Sequence, residues 1–241
     1  MTLHMIQLTP DMVSAAVWAQ QNGVASADDG YLMHALLKSS FGPLSPKPFA
    51  VMAKPGRPAK ILAYSIHSAE DLSGQARMFA EPVALEAIGL GGMAAKAMPE
   101  AFAKGAHLGF EVRVRPVVRA ARGTGVHAGR ERDAFLAAIR DLPKDTLVQR
   151  GQVYRQWLAR AFSPGAEIKH VDPIYQRQTP VTRRTALKSG ARPRESILGP
   201  DVSFAGVLQV AEPEAFSALL TRGVGRHRAF GFGMLLLRPP G

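Results

Sequence analysis

The chain has 241 residues, 46% of them hydrophobic, which is enough to bury one large core or two small ones and excludes disorder of the bulk. With no cysteine, disulfide frameworks and thiolate metal sites are excluded, and a reducing cytoplasm is the expected compartment. Lys and Arg number 30 against 19 Asp and Glu, a formal net charge of +11, and no apolar run reaches the length of a membrane span, so no membrane partner is expected.

The N-terminal MTLHMIQLTPDM has no cationic region followed by a long apolar run, so an unexported protein is expected. LHMIQL (Leu3 to Leu8) alternates as a strand does, and Thr9-Pro10-Asp11 opens a helix over MVSAAVWAQQ that Gly23 ends. Asp28-Asp29-Gly30 introduces a second helix through YLMHALLKSSF, stopped by Gly42, Pro43, Pro46 and Pro48. FAVMA (Phe49 to Ala53) and KILAYSI (Lys60 to Ile66) are predicted strands on either side of the turn KPGRP. Ser68 to Asp71 caps a helix toward Phe79, and PVALEAIGL is predicted to be the closing strand. The order β, α, β, β, α, β over residues 1–95 is the split pattern of a ferredoxin-like unit.

Residues 96–107, KAMPEAFAKGAH, form the expected connector. LGFEVRVRPVVR then begins a second unit, 108–241, as one long alternating strand. Helices are predicted from Glu131 to Arg140 and from Gln152 to Phe162, then a strand from Ile168, the strand VSFAGVLQV (Val202 to Val210), a capped helix EPEAFSALLTR and a final strand FGFGMLLLR. The β, α, β, β, α, β order recurs without a repeat in the residues, so the fold class is α+β with tandem ferredoxin-like, RNA-recognition-like domains. That superfold hosts many unrelated functions and assigns none by itself.

The placement of charge says more than its size. Val112 to Arg130 contains no acid but Arg113, Arg115, Arg119, Arg122 and Arg130; Pro173 to Arg194 contains no acid but Arg177, Arg183, Arg184, Lys188, Arg192 and Arg194. These two windows account for the whole excess of +11, a distribution that fits a directed polyanion surface if the windows converge in space, and nucleic acid is the leading partner. RRTALKSGARPR, with Gly190 and Pro193 near its tip, reads as a hairpin or loop presenting Arg183, Arg184, Lys188, Arg192 and Arg194. Against A-form RNA such a loop contacts phosphates and recognises helix shape, because side chains reach poorly into the narrow major groove. A solvated insertion has the same composition.

Two other stretches carry reactive groups. In GYLMHALLKSSF, Tyr31, His34 and Lys38 fall on one helical face while Met33, Leu36 and Leu37 point elsewhere. A phenol, an imidazole and an ammonium are the groups that deprotonate a hydroxyl, protonate a leaving oxygen and hold phosphorane charge, although a half-buried amphipathic helix has the same spacing. In RGVGRHRAFGFG, Gly223 and Gly225 permit a close backbone approach, so that amides beside Arg226, His227 and Arg228 form either an anion nest or a plain turn before an edge strand. The dinucleotide fingerprint fails because Arg228 stands where the third glycine belongs. No Walker A, H-E-x-x-H or G-x-S-x-G sequence occurs and the histidines are dispersed, so chemistry without metal or cofactor is the expectation.

DDGYLMHALLKSSFGPLSPKPF (28–49), LGFEVRVRPVVR (108–119), ERDAFLAAI (131–139), VYRQWLARAF (153–162) and GPDVSFAGVLQV through RGVGRHRAFGFGMLLLRP (199–239) together resemble, in order and across nearly the whole chain, the CasE endoribonucleases of type I-E CRISPR systems. The resemblance implies two ferredoxin-like domains and metal-independent cutting at the 3′ base of a CRISPR repeat RNA stem-loop. It also implies that the product hairpin is retained in the Cascade complex, with other Cascade subunits as partners. It places His34 at the family's catalytic histidine and Tyr31 at the tyrosine one turn earlier, with attack by a ribose 2′-hydroxyl leaving a cyclic phosphate and a 5′-hydroxyl. Gly223, Gly225, Arg226, His227 and Arg228 map onto the family's glycine-rich loop, and 183–194 onto its stem-binding region without individual contacts. Lys38 as an electrostatic helper rests on its helical face alone, and a non-catalytic RNA-binding protein on the same sheets is the alternative from another class.

Overall fold

A computed structural model of the chain describes residues 2–24, 28–54, 56–119, 131–143, 145–184 and 194–240. The first unit runs β1 (His4–Leu8), α1 (Met12–Gln21), α2 (Asp29–Phe41), β2 (Phe49–Lys54), β3 (Arg57–Ser65), α3 (Ala69–Phe79), α4 (Pro82–Ile88) and β4 (Ala94–Ala97). Its strands pair antiparallel in the order β2-β3-β1-β4, so the β2–β3 hairpin lies beside the first strand as a split βαβ unit requires. Short polar side chains start the helices: Asp11 accepts from Val13 and Ser14 amides, Asp28 from Tyr31, and Ser68 forms a capping box with Asp71.

The second unit runs β5 (His107–Val114), β6 (Val117–Arg119), β7 (Glu131–Asp133), α5 (Ala134–Ala138), α6 (Arg150–Phe162), β8 (Ala166–Arg184), β9 (Arg194–Val210), α7 (Pro213–Arg222) and β10 (Leu235–Arg238). Its sheet order, β10-β5-β9-β8, is the same arrangement, with β6 and β7 set apart as a two-stranded ribbon. The fold is therefore α+β with tandem ferredoxin-like units.

Several local expectations are corrected. PVALEAIGL is a helix and not the closing strand: Pro82 occupies a position where its missing N–H costs nothing, and Ala84, Ala87 and Ile88 form one buried face ended by Gly89. The closing strand is instead AAKA, 94–97, whose four exposed residues carry no alternation and which exists through its pairing with β1. The last strand of the first sheet thus runs to Ala97, and the next strand begins at His107. The long strand at 108–119 breaks at Arg115-Pro116, where proline has no amide for the ladder, and the chain leaves the main sheet to pair with β7. Glu131 to Asp133 is strand, so the helix there is only the short α5, capped by Asp133. α7 starts on Pro213 without a side-chain cap. The final strand shortens to Leu235–Arg238, because Phe230 ends a 3₁₀ turn and Gly231 and Gly233 take left-handed φ of 79° and 77° that no strand accommodates.

Alternation along β1 sends residues to two cores. Ile6 and Leu8 pack with Trp18, Leu36, Phe41 and Phe49 under the helices of the first unit. Leu3 and Met5, pointing the other way, pack against the core of the second unit, which holds Phe110, Tyr154, Phe162, Phe204 and Phe216. Tyr64, from β3, also enters that second core and its hydroxyl donates to the Leu235 carbonyl at 2.8 Å. A Tyr64→Phe substitution removes this bond between the sheets and is expected to cost about 1 kcal/mol, seen as a lower urea midpoint at unchanged m-value. An unchanged midpoint would mean that the bond does not help join the units.

Candidate active site

The second helix, α2, brings the predicted reactive groups to the boundary between units. Leu32, Met33, Leu36 and Leu37 bury in the first core. The opposite side carries Tyr31, only 7% exposed, and half-buried His34. Both lie beneath Phe230 of the glycine-rich loop: the Tyr31 ring is parallel to it at 6.5 Å between centroids, and the His34 ring is tilted against it at 4.9 Å. This approach needs Gly30, since a Cβ there would strike the Phe230 carbonyl oxygen. Lys38 shares the helix but turns toward its C-terminus, where Nζ donates to the Gly42 carbonyl at 2.8 Å.

Beside Phe230 opens a cleft of about 730 Å³, lined on the first unit by Lys47, Tyr64, Ser65 and His67, and on the second by Glu131, Arg222, Arg226, His227 and Arg228. Its lining is strongly cationic. Burial pushes the His34 imidazole below its ordinary value of 6.5, and the ammonium groups of Lys38 and Lys47 push it further down. His34 is therefore neutral at pH 7 and able to accept a proton.

Glycine and charge in the 222–233 loop have separate duties. Gly223 and Gly225 take φ of 78° and 70°, and Gly225 lies flat against Trp157, where any side chain would collide. His227 is itself left-handed at φ 60°, the one such residue other than glycine among the described residues. A single carboxylate fixes it: Glu131 receives His227 Nε2 at 2.6 Å and Arg226 Nε at 2.5 Å. The His227 bond above all, with Arg226, holds the Glu131 carboxyl down at about 2. Arg228 donates to the Arg222 carbonyl at the end of α7 at 2.6 Å. Arg226, His227 and Arg228 thus all have intramolecular partners, and Arg226 and Arg228 remain on the cleft wall.

Arginines of the two acid-free windows meet inside the second unit, where each has intramolecular partners. Arg113 grips buried Asp201 through two bonds of 2.9 and 2.8 Å, and Arg177 adds a third at 3.0 Å. Burial raises the Asp201 carboxyl, but the arginines outweigh it and hold it below its usual range. Arg115 is 1% exposed, donates to the Thr179 and Ile197 carbonyls and lies over the Phe232 ring. These three arginines brace the base of the β8–β9 hairpin. The described strands stay paired up to Arg183 with Glu195 and Arg184 with Arg194, on either side of residues 185–193. Lys188 and Arg192, with Arg122 and Arg130, lie outside the described residues, as do the side chains of Arg183, Arg184 and Arg194.

Lys47, Phe230 and Glu131 were not marked by any motif as site residues; each joins the site through contacts over long sequence distances. Among the described residues no group of three or more His, Asp or Glu is arranged to hold a metal ion, and no helix is long and apolar enough to cross a membrane.

The sequence matches the family described as CRISPR associated protein over residues 3–239. Comparison with curated proteins gives no match. The fold is similar to a structure of CRISPR endoribonuclease Cse3 bound to 19-nucleotide RNA, at 20% identity over 99% of this chain and 100% of that one, with a TM-score of 0.66. It is similar to Thermus thermophilus Cse3 bound to an RNA representing a pre-cleavage complex, at 18% identity over 99% and 100% of the chains and a TM-score of 0.62. Cas6e from Escherichia coli str. K-12 aligns over the whole of both chains at 17% identity and a TM-score of 0.54. With the family match running over almost its entire length, the chain belongs to the CRISPR-associated protein family.

Proposed function

We propose that the protein is a metal-independent endoribonuclease that cuts CRISPR precursor RNA at the 3′ base of the repeat stem-loop and stays on the mature hairpin as a Cascade subunit. The observation that carries this reading is the placing of Tyr31 and His34 together against Phe230, whose other side lines a cationic cleft. Similarity to RNA-bound Cse3 and to chains of CRISPR RNA-guided surveillance complexes supports the substrate and the assembly.

In this reading neutral His34 takes the proton of a ribose 2′-hydroxyl. The oxygen attacks the adjacent phosphorus, the P–O5′ bond breaks, and a cyclic phosphate and a 5′-hydroxyl result once the leaving oxygen has gained a proton. Tyr31 supplies a hydrogen bond to the reacting groups, and positioning by the walls accounts for much of the rate. Lys47, on the cleft wall, stabilises the phosphorane charge, while Lys38 acts through His34 by keeping it unprotonated. Arg226 and Arg228 hold the RNA backbone, while Gly223 and Gly225, packed against Pro48 and Trp157, and His227, buried on Glu131, shape the loop and do not grip RNA themselves. Arg183, Arg184, Lys188, Arg192 and Arg194 hold the stem.

Incubation with the host repeat hairpin in EDTA is expected to give one cut at the stem base, and His34→Ala to lose most cleavage while retaining binding. A 2′-deoxy nucleotide at the cut should resist. Binding without cutting by the wild type would leave a non-catalytic RNA-binding protein.

The single-turnover rate should be level near pH 7 and fall as the pH drops below 6.5, because protonated His34 no longer accepts the hydroxyl proton. Lys47→Gln removes one of the charges lowering His34, so it should move this acid limb to higher pH and reduce the plateau by about tenfold to a hundredfold. An acid limb that stays in place would place the Lys47 charge away from His34.

Replacing Arg183, Arg184 and Lys188 together should weaken hairpin affinity and flatten the slope of log K against log salt by roughly 0.7–0.9 for each RNA phosphate that these cations neutralise. An unchanged slope would return these cations to solvent.

A further inference from the structure

The carboxylate of Asp28 makes two bonds that point to different parts of the molecule. Oδ1 accepts the Tyr31 amide at 3.1 Å, capping α2 three residues before Tyr31 and six before His34. Oδ2 accepts the Thr182 amide of β8 at 2.8 Å, across 154 residues of chain. Helix capping alone explains the first and not the second.

The strand supplying Thr182 is the edge of its sheet, beside β9 only. Outward amides of an edge strand are unpaired, and this edge lacks two of its amides through Pro173 and Pro180. Thr182 lies two residues beyond Pro180, on the same side of the strand, and its amide is given to Asp28. Arg183 and Arg184 follow at once and end the described part of β8. Asp28 therefore stands between the first turn of α2 and the strand that carries Arg183 and Arg184. Arg113 and Arg115, bracing the same hairpin, lie close enough for their charges to interact with Asp28, so the carboxylate has compensating cations on the hairpin side.

We infer that Asp28 is a positioning residue that locks the β8–β9 hairpin to the helix carrying Tyr31 and His34, so that RNA held by the hairpin meets the reactive pair in one fixed register. This rests on the endoribonuclease reading for its consequence in catalysis, and on geometry alone for the mechanical link. A cap needs one acceptor, which Ser, Asn and Asp provide about equally. A link needs a second acceptor, which the carboxylate has and an amide lacks, since the second position of Asn is an NH₂ donor.

Asp28→Asn is thus the discriminating variant, because its one acceptor oxygen can serve only one of the two amides and leaves its NH₂ donor against the other, and Thr182→Pro tests the link with the cap intact. With the wild-type repeat hairpin we expect a melting temperature near that of the wild type, a Kd within about threefold, and a single-turnover cleavage rate lower by about tenfold or more. Thr182→Pro removes the same amide at an edge position that is not needed for the ladder, and the double variant should be no slower than either single one. Independently of cleavage, amide exchange in the first turn of α2 should slow when a hairpin with a 2′-deoxy cut site binds the wild type, and should not slow in Asp28→Asn. Wild-type cleavage rate together with wild-type exchange in Asp28→Asn would overturn the link. Slowed exchange in the wild type without any cleavage would keep the link and remove the endoribonuclease reading instead.

Discussion

The site exists because the glycine-rich loop presses onto the first turn of α2. Phe230 brings a carbonyl within contact of Gly30 and an aromatic ring over both Tyr31 and His34. Its position is inherited from the loop, which folds back through the bond from the Val224 amide to the Gly233 carbonyl and is tied to β5 by the bond from the Gly233 amide to the Arg113 carbonyl. Without that approach His34 would be a solvated residue on a surface helix. With it, the imidazole loses water and, under the charges of Lys38 and Lys47, stays neutral.

Cations in this protein are used at two depths. Arg113 and the more exposed Arg177 pair with buried Asp201, and buried Arg115 donates to two backbone carbonyls, because a charge is costly to bury without such partners. Glu131 performs a related task at the loop, holding His227 in a left-handed conformation and Arg226 beside it. The cations of the cleft wall, Lys47, Arg222, Arg226 and Arg228, lie outside both acid-free windows. Arg113, Arg115 and Arg177 of those windows therefore act as scaffold.

The two units are joined by sheet faces and also by the bonds from Tyr64 to Leu235 and from Asp28 to Thr182. Both cross from the first unit to the second. A cleft between units keeps its shape only if its walls keep their relation, and hydrogen bonds with directional demands fix that relation more tightly than apolar contact does.

Local patterns and short motifs in the chain encode the features that need no distant partner. Capping residues at Asp11, Asp28 and Ser68 start helices where expected, and the helical spacing that brings Tyr31 and His34 to one side holds in the structure. The same patterns misled where the outcome depends on a remote segment. AAKA becomes a strand through β1, PVALEAIGL a helix through its buried alanine face, and Lys38 caps its own helix instead of standing with its neighbours. Lys47, Phe230, Glu131 and the second bond of Asp28 belong to the tertiary structure alone, since each depends on contacts across tens to hundreds of residues that no local periodicity records.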